Sequence, residues 1–65
     1  SAADLATTLS VLDRVRERAA QELQQVQLYL AGLRAQLPID DARRYVLEEA
    51  MSIVASVPLT APTSH

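Results

Sequence analysis

The chain has 65 residues, a formal net charge of −2 and no cysteine. A chain this short buries only roughly 60% of the surface that its unfolded form exposes, so it forms at most one small domain of marginal stability. Disulfides are excluded, and the single histidine, His65, is the last residue, so we expect no metal site. Small chains without these supports usually gain stability by oligomerisation.

The charge balance also narrows the class of partner. An acidic chain without a basic stripe is poorly suited to nucleic-acid phosphates. No apolar run approaches a membrane span, and the layout of a signal peptide is absent from the sequence. We therefore expect a cytoplasmic chain whose partner is a protein, with no nucleic acid and no membrane. Because it begins at Ser1 and not at methionine, we expect a processed or excised piece, for example one end of a larger polypeptide.

The first predicted element is a long helix over residues 3–37. Two capping signals compete at its start, because Ser1 and Ser10 are each followed three residues later by an acid. We expect helix from about Ala3; the β-branched pair Thr7 and Thr8 weakens the first turns and leaves fraying as far as Ser10 open. Pro38 ends the helix, since the residue before a proline is pushed out of the α region.

Apolar residues recur along this helix at alternating spacings of four and three. This heptad seam is typical of a helix that packs lengthwise on another helix, as in a coiled coil. The seam consists of Leu5, Leu9, Leu12, Arg16, Ala19, Leu23, Val26, Leu30, Leu33 and Leu37. The glutamines beside the seam are expected to be solvated, with a wet helix–helix contact as the alternative; they are Gln21, Gln24, Gln25, Gln27 and Gln36.

Arg16 is the one charged residue in the seam, and two interpretations are open. A charge in a seam can set register or partner choice if it pairs with an acid of another chain, such as Asp13 or Glu17. Alternatively, the stem of Arg16 packs while its guanidinium reaches water, which the small neighbours Ala19 and Ala20 favour.

A second predicted helix starts after the N-cap Asp40, continues to about Val57 and ends before Pro58. Two adjacent apolar stripes make its apolar face wider than one partner helix can cover. The first stripe is Val46, Ala50, Ile53 and Val57, and the second is Leu47, Met51 and Val54. The solvated side is marked by Asp41, Arg44, Glu48 and Ser52. Residues 58–65 are expected to form a disordered tail.

The unequal lengths of the two predicted helices indicate a second chain. A short connection makes them antiparallel neighbours, and a second helix of about 25 Å covers only the half of the first that lies nearest the turn. Leu5, Leu9 and Leu12 then have nothing in their own chain to pack on. The sequence therefore predicts an all-α helical hairpin over residues 1–57 that completes a four-helix bundle by dimerisation.

The residues expected to form interfaces lie on the seam and on the two stripes. They are Leu5, Leu9, Leu12, Arg16, Ala19, Leu23, Val26, Leu30, Val46, Leu47, Ala50, Met51, Ile53 and Val54.

No combination of residues indicates catalysis. The serines have no histidine within reach to act as a base, and no glycine-rich phosphate loop is present. Glu48 and Glu49 are neighbours in a helix and point about 100° apart, so they do not converge on one substrate atom. We expect no enzymatic activity and no cofactor.

The predicted function is a non-catalytic protein–protein interaction module, a self-associating docking or dimerisation domain of a larger protein such as a multienzyme. In size and helical pattern the chain resembles two groups: the docking and dimerisation modules at the ends of modular megasynthase subunits, and the small hairpin co-chaperones of secretion systems. The second group gives the alternative function, a co-chaperone that binds a client helix. A homodimer and a heterologous helical partner both remain open, and the resemblance implies no residue roles.

Overall fold

The computed structural model describes residues 1–59, which form two antiparallel helices joined by a short turn. Helix α1 spans Ala2–Ala35 and helix α2 spans Arg43–Ala55. No strand occurs among these residues. The predicted all-α hairpin, with a long first helix and a short second one, is confirmed. Its completion to a four-helix bundle stays a prediction, and the predicted tail from residue 60 onwards lies outside the described residues.

Helix α1 uses the first of its two capping signals. The backbone N–H of Asp4 donates to the Ser1 hydroxyl at 3.4 Å, and the backbone nitrogen of Ser1 donates to the Asp4 carboxylate at 3.5 Å, which completes a capping box. Thr7 and Thr8 each donate a hydroxyl hydrogen bond to the carbonyl four residues earlier, at 3.0 and 2.9 Å. The helix therefore accommodates both β-branched residues and continues through Ser10.

Helix α1 ends at Ala35, two residues before the predicted end. The last carbonyls of a helix lack intrahelical partners. Here Arg44 supplies a donor to this end of the helix: its Nη1 donates to the carbonyl oxygens of Arg34 at 2.9 Å and of Leu37, two residues past the helix, at 3.2 Å. The Arg34 carbonyl also accepts the Leu37 N–H at 3.1 Å. The expectation that Arg44 lies on the solvated side is wrong: its side chain is half-buried and reaches back from α2 to cap α1.

The substitution Arg44→Met is expected to lower the free energy of unfolding. It keeps most of the aliphatic stem and removes both charge-assisted hydrogen bonds, at a cost of about 1–2 kcal/mol, since water can reach the freed carbonyls. Urea unfolding at fixed protein concentration measures the change. The matched control is Arg18→Met. Arg18 is exposed, and its Nε lies 3.5 Å from Glu22 Oε1 in a surface ion pair, which contributes little to stability. Equal losses in the two variants would contradict the capping role.

Helix α2 begins at Arg43, later than predicted, and its cap is not Asp40. The backbone N–H of Asp41 donates to the Pro38 carbonyl at 3.0 Å, so residues 38–41 form a turn that contains Asp40. The Asp41 carboxylate then accepts the backbone N–H of Arg43 at 2.9 Å and its guanidinium at 2.6 Å. The N-cap is Ala42, which has no side-chain cap, and Asp41 just before it holds the first N–H of the helix. Asp41 is half-buried and not on the solvated side as predicted. Helix α2 ends at Ala55, two residues before the predicted end at about Val57.

The hydrogen bonds from Arg43, first from its side chain and then from its backbone, lower the pKa of Asp41 from 3.8 to about 2. A group whose folded pKa is depressed stabilises the fold above its unfolded pKa, and this contribution is lost as pH falls through the folded value. We therefore expect stability to fall between about pH 4 and pH 2, and Asp41→Asn to remove part of this dependence. The urea concentration at the midpoint of unfolding, measured between about pH 4 and pH 2, tests this dependence. The control is Asp40→Asn, which changes the exposed neighbouring carboxyl. An unchanged slope in Asp41→Asn would contradict the role.

The hairpin is elongated and has no enclosed core. Its principal dimensions are 58 × 22 × 10 Å, and its radius of gyration of 17.2 Å exceeds the roughly 11 Å of a compact chain of this length. None of residues 1–59 is fully buried. Two helices in one layer can only half-cover each other, so every apolar side chain keeps part of its surface exposed.

Candidate protein-interaction surface

Helix α2 covers only the C-terminal part of α1. The hydrogen bonds from Gln27 to Met51 and from Arg44 to Arg34 give the same antiparallel register, which places Ala55 at the end of α2 opposite Leu23. Beyond Ala55 the chain runs on along α1, and Leu59, the last described residue, lines a shallow groove with Asp13, Arg16, Glu17 and Ala20. The part of α1 before this groove has no neighbour among residues 1–59.

We call residues 2–15 of α1 the uncovered segment; only Asp13, near its end, also lines the groove with Leu59. Every residue of the uncovered segment is exposed, whereas Arg16 is the first half-buried residue of the chain. Its seam leucines expose 67% (Leu5), 58% (Leu9) and 49% (Leu12) of their surfaces, and Val15 exposes 59%. A contiguous line of large apolar side chains on one face of a helix is unusual on a monomer and typical of an interaction surface.

A second exposed apolar surface lies on α2. Val46 and Ile53 are 68% and 59% exposed. Together with half-buried Ala50 and with Val57, two residues past the end of α2, they form the first of the two predicted stripes, which we call the outer stripe. Beside it, near the turn, a groove between the helices is lined by Leu33, Gln36, Leu37, Arg43, Val46 and Leu47. The second predicted stripe, with Leu47, Met51 and Val54, is half-buried and faces α1.

The contact between the helices includes a polar side chain that the sequence pattern assigns to the solvent. Gln27 is half-buried, its Nε2 donates to the Met51 carbonyl at 2.8 Å, and its buried Oε1 has no partner among the described residues. The expectation of solvated glutamines is wrong for Gln27 alone, because the other four glutamines are exposed. Val26, the neighbouring seam residue, is 42% exposed. A seam of period 3.5 drifts about 20° per heptad around a straight helix, so Val26 turns away from α2 and Gln27 turns towards it.

Arg16 finds an acidic partner within its own helix. Its guanidinium pairs with the Asp13 carboxylate one turn earlier, and only 25% of its side-chain surface is exposed. Arg16 lines the groove with Leu59, so its stem is half-buried there while its charge is balanced by Asp13. This geometry lies closer to the packed-stem interpretation than to an arginine that waits for an acid of another chain.

The fourteen residues predicted to form interfaces divide into two groups. The half-buried group is Arg16, Ala19, Leu23, Leu30, Leu47, Ala50, Met51 and Val54; the exposed group is Leu5, Leu9, Leu12, Val26, Val46 and Ile53. The first group lies mainly between α1 and α2. The second group is free to contact another molecule, and its role in association stays a prediction.

Comparison with protein-family models, with curated proteins and with solved structures finds no match to this chain. Among residues 1–59, neither helix combines the length and the hydropathy needed to cross a membrane. The same residues bring together no group of three or more His, Cys, Asp or Glu side chains that could hold a metal ion.

Proposed function

We propose that this chain is a non-catalytic interaction module that self-associates and so acts as a docking or dimerisation domain of a larger protein. The observation that carries the proposal is the uncovered segment. It places four large apolar side chains, Leu5, Leu9, Leu12 and Val15, in water along one face of a helix that continues into a packed hairpin.

The amount of exposed surface supports association. The chain exposes 5464 Å², whereas a folded monomer of 7.1 kDa exposes roughly 4,100 Å². The excess is larger than the roughly 800 Å² that each partner contributes to a standard protein–protein interface. One interface of ordinary size would therefore remove more than half of this excess, and the chain exposes enough surface to form one.

Sedimentation velocity and circular dichroism over a range of protein concentrations test the proposal. We expect a homodimer whose melting temperature rises with concentration, because a partner that binds only the folded chain stabilises it by mass action. Dilution should lower both the dimer fraction and the helical signal. A chain that remains a fully helical monomer at all concentrations would contradict self-association. A poorly folded monomer that gains helicity only with a heterologous helix would favour the co-chaperone function instead.

A further inference from the structure

We propose that two copies of this chain pack lengthwise on each other along one face of α1, with the two α1 helices antiparallel. The residues of this face, which we call the lateral stripe, repeat at alternating spacings of three and four. They are Leu5, Thr8, Leu12, Val15, Ala19, Glu22, Val26, Tyr29 and Leu33. The proposal rests on the self-association proposed above and adds which face of α1 meets the second copy.

The rotation at which α2 docks leaves the lateral stripe free. Gln27 and not Val26 turns towards α2, so Val26 stays 42% exposed, and Tyr29 one turn later is 67% exposed. Both lie in line with Leu12 and Val15 of the uncovered segment, which are 49% and 59% exposed, because positions three and four apart share a helix face. One line of large apolar side chains therefore stays in water both before α2 and beside it.

The opposite face of α1 has no such line. It carries Ser10, Glu17, Gln21 and Gln24, all of them exposed, and Leu28 is its one large apolar side chain. A helix that packs lengthwise on α1 without displacing α2 therefore has only the lateral stripe as an apolar surface.

The length of the lateral stripe fits what a stable dimer needs. In a lengthwise helix pair, about four residues in every seven face the neighbouring helix or flank the contact. The uncovered segment alone then supplies about 8 contact residues, whereas residues 5–33 supply about 17. A standard interface takes roughly 20–30 residues from each partner, so the whole stripe comes close to this size and the uncovered segment falls well short.

The charges along the stripe favour the antiparallel orientation. Glu22 lies on the stripe, and Arg18, one turn earlier, lies at its edge and forms an ion pair of 3.5 Å with Glu22. A parallel twofold pair places every residue opposite its own copy, so arginine would face arginine and glutamate would face glutamate. An antiparallel pair brings Arg18 of each copy beside Glu22 of the other. Complementary charges at the rim of an interface set orientation more than affinity.

One register satisfies the apolar contacts and the charged contacts together. It places Val15 opposite Val26 of the second copy and Leu12 opposite Tyr29 of the second copy, so large exposed side chains cover each other. The same register brings the arginine of one copy and the glutamate of the other to within one residue, or about 1.5 Å, along the helix axis. Twofold symmetry then forms each of these contacts twice.

Cysteine cross-linking tests the orientation and the register, because the natural chain contains no cysteine. Val15→Cys and Val26→Cys each replace a valine by a small apolar side chain, and sedimentation first shows that each variant is dimeric. When the two chains are mixed in a glutathione redox buffer, we expect a disulfide between the two different chains, since a disulfide forms only between positions that lie close together. Neither variant alone should form a disulfide.

A disulfide in the Val15→Cys chain alone overturns the arrangement, because it places this position opposite its own copy, as in a parallel pair. A disulfide of Val15→Cys with Ala19→Cys in place of Val26→Cys overturns the register. A dimer that forms none of these disulfides overturns the arrangement as well, while the proposed self-association stands. A natural chain that is monomeric by sedimentation contradicts the proposed function itself, so the two failures are distinguishable.

A charge placed beside α2 provides a second test that needs no cysteine. Tyr29 and Leu28 are neighbours in α1 and both 67% exposed, but only Tyr29 lies on the lateral stripe. By sedimentation equilibrium, Tyr29→Glu should weaken dimerisation by at least about tenfold, because a twofold interface desolvates the new carboxylate twice. Leu28→Glu should leave the affinity nearly unchanged. Equal affinities of the two variants would show that the interface does not extend along the stripe beside α2.

Discussion

Replacing Leu12 by aspartate is expected to abolish self-association. Leu12 lies in the middle of the uncovered segment and exposes 49% of its surface to solvent, and no part of residues 1–59 covers it. An unpaired carboxylate in such an interface costs on the order of several kcal/mol, and a twofold dimer contains the substitution twice. The variant should sediment as a monomer at concentrations at which the natural chain is dimeric.

The monomer produced by Leu12→Asp should also lose most of its helical signal. A hairpin without a fully buried residue has little stability of its own, and an isolated helix that nothing covers is marginal in water. Circular dichroism and sedimentation on the same sample separate the loss of the dimer from the loss of the helix.

The matched control is Leu28→Asp. Leu28 is 67% exposed, more than Leu12, but it lies off the heptad seam and outside the hairpin contact. The same change of side chain should therefore leave the dimer and its helicity nearly unchanged. A Leu12→Asp chain that stays helical and dimeric, or a Leu28→Asp chain that is equally disrupted, would show that the seam does not carry the interface.

Replacing Leu47 by aspartate is expected to separate the two helices. Leu47 is half-buried against α1 and also lines the groove beside Leu33 and Leu37, so a carboxylate there is partly desolvated, and Arg43, which lines the same groove, is already paired with Asp41. We expect a loss of roughly 2–3 kcal/mol, comparable to the burial of one leucine, which exceeds what a two-helix chain can spare. Protection of the α2 amides from hydrogen exchange should disappear.

Ser52→Asp is the control for this substitution. Ser52 lies on the exposed side of the same helix, so an added carboxylate there remains in water. Its α2 amides should exchange as slowly as those of the natural chain. Similar exchange in the Leu47→Asp chain and the natural chain would mean that α2 does not depend on its contact with α1.

The sequence by itself determined the helices and their unequal lengths. Pro38 and Pro58 bound them, the heptad seam predicts that α1 packs lengthwise, and Ser1 with Asp4 forms the predicted capping box. These features depend on residues within a few positions of each other, so local propensity and periodicity are enough to find them. The mismatch of about 20 residues between the helices follows from the same pattern, and with it the uncovered segment.

Only the tertiary structure decided which side of α1 meets α2. Gln27 occupies the contact where the seam predicts Val26, because a period of 3.5 drifts around a straight helix and the rotation at which α2 docks depends on the turn. The conformation of this turn depends on two hydrogen bonds that the helical pattern does not predict. The Asp41 carboxylate accepts the Arg43 N–H, and the Arg44 guanidinium donates to the Arg34 carbonyl. The bonds from Gln27 to Met51 and from Arg44 to Arg34 join positions ten or more residues apart, and their geometry exists only once both helices are in place.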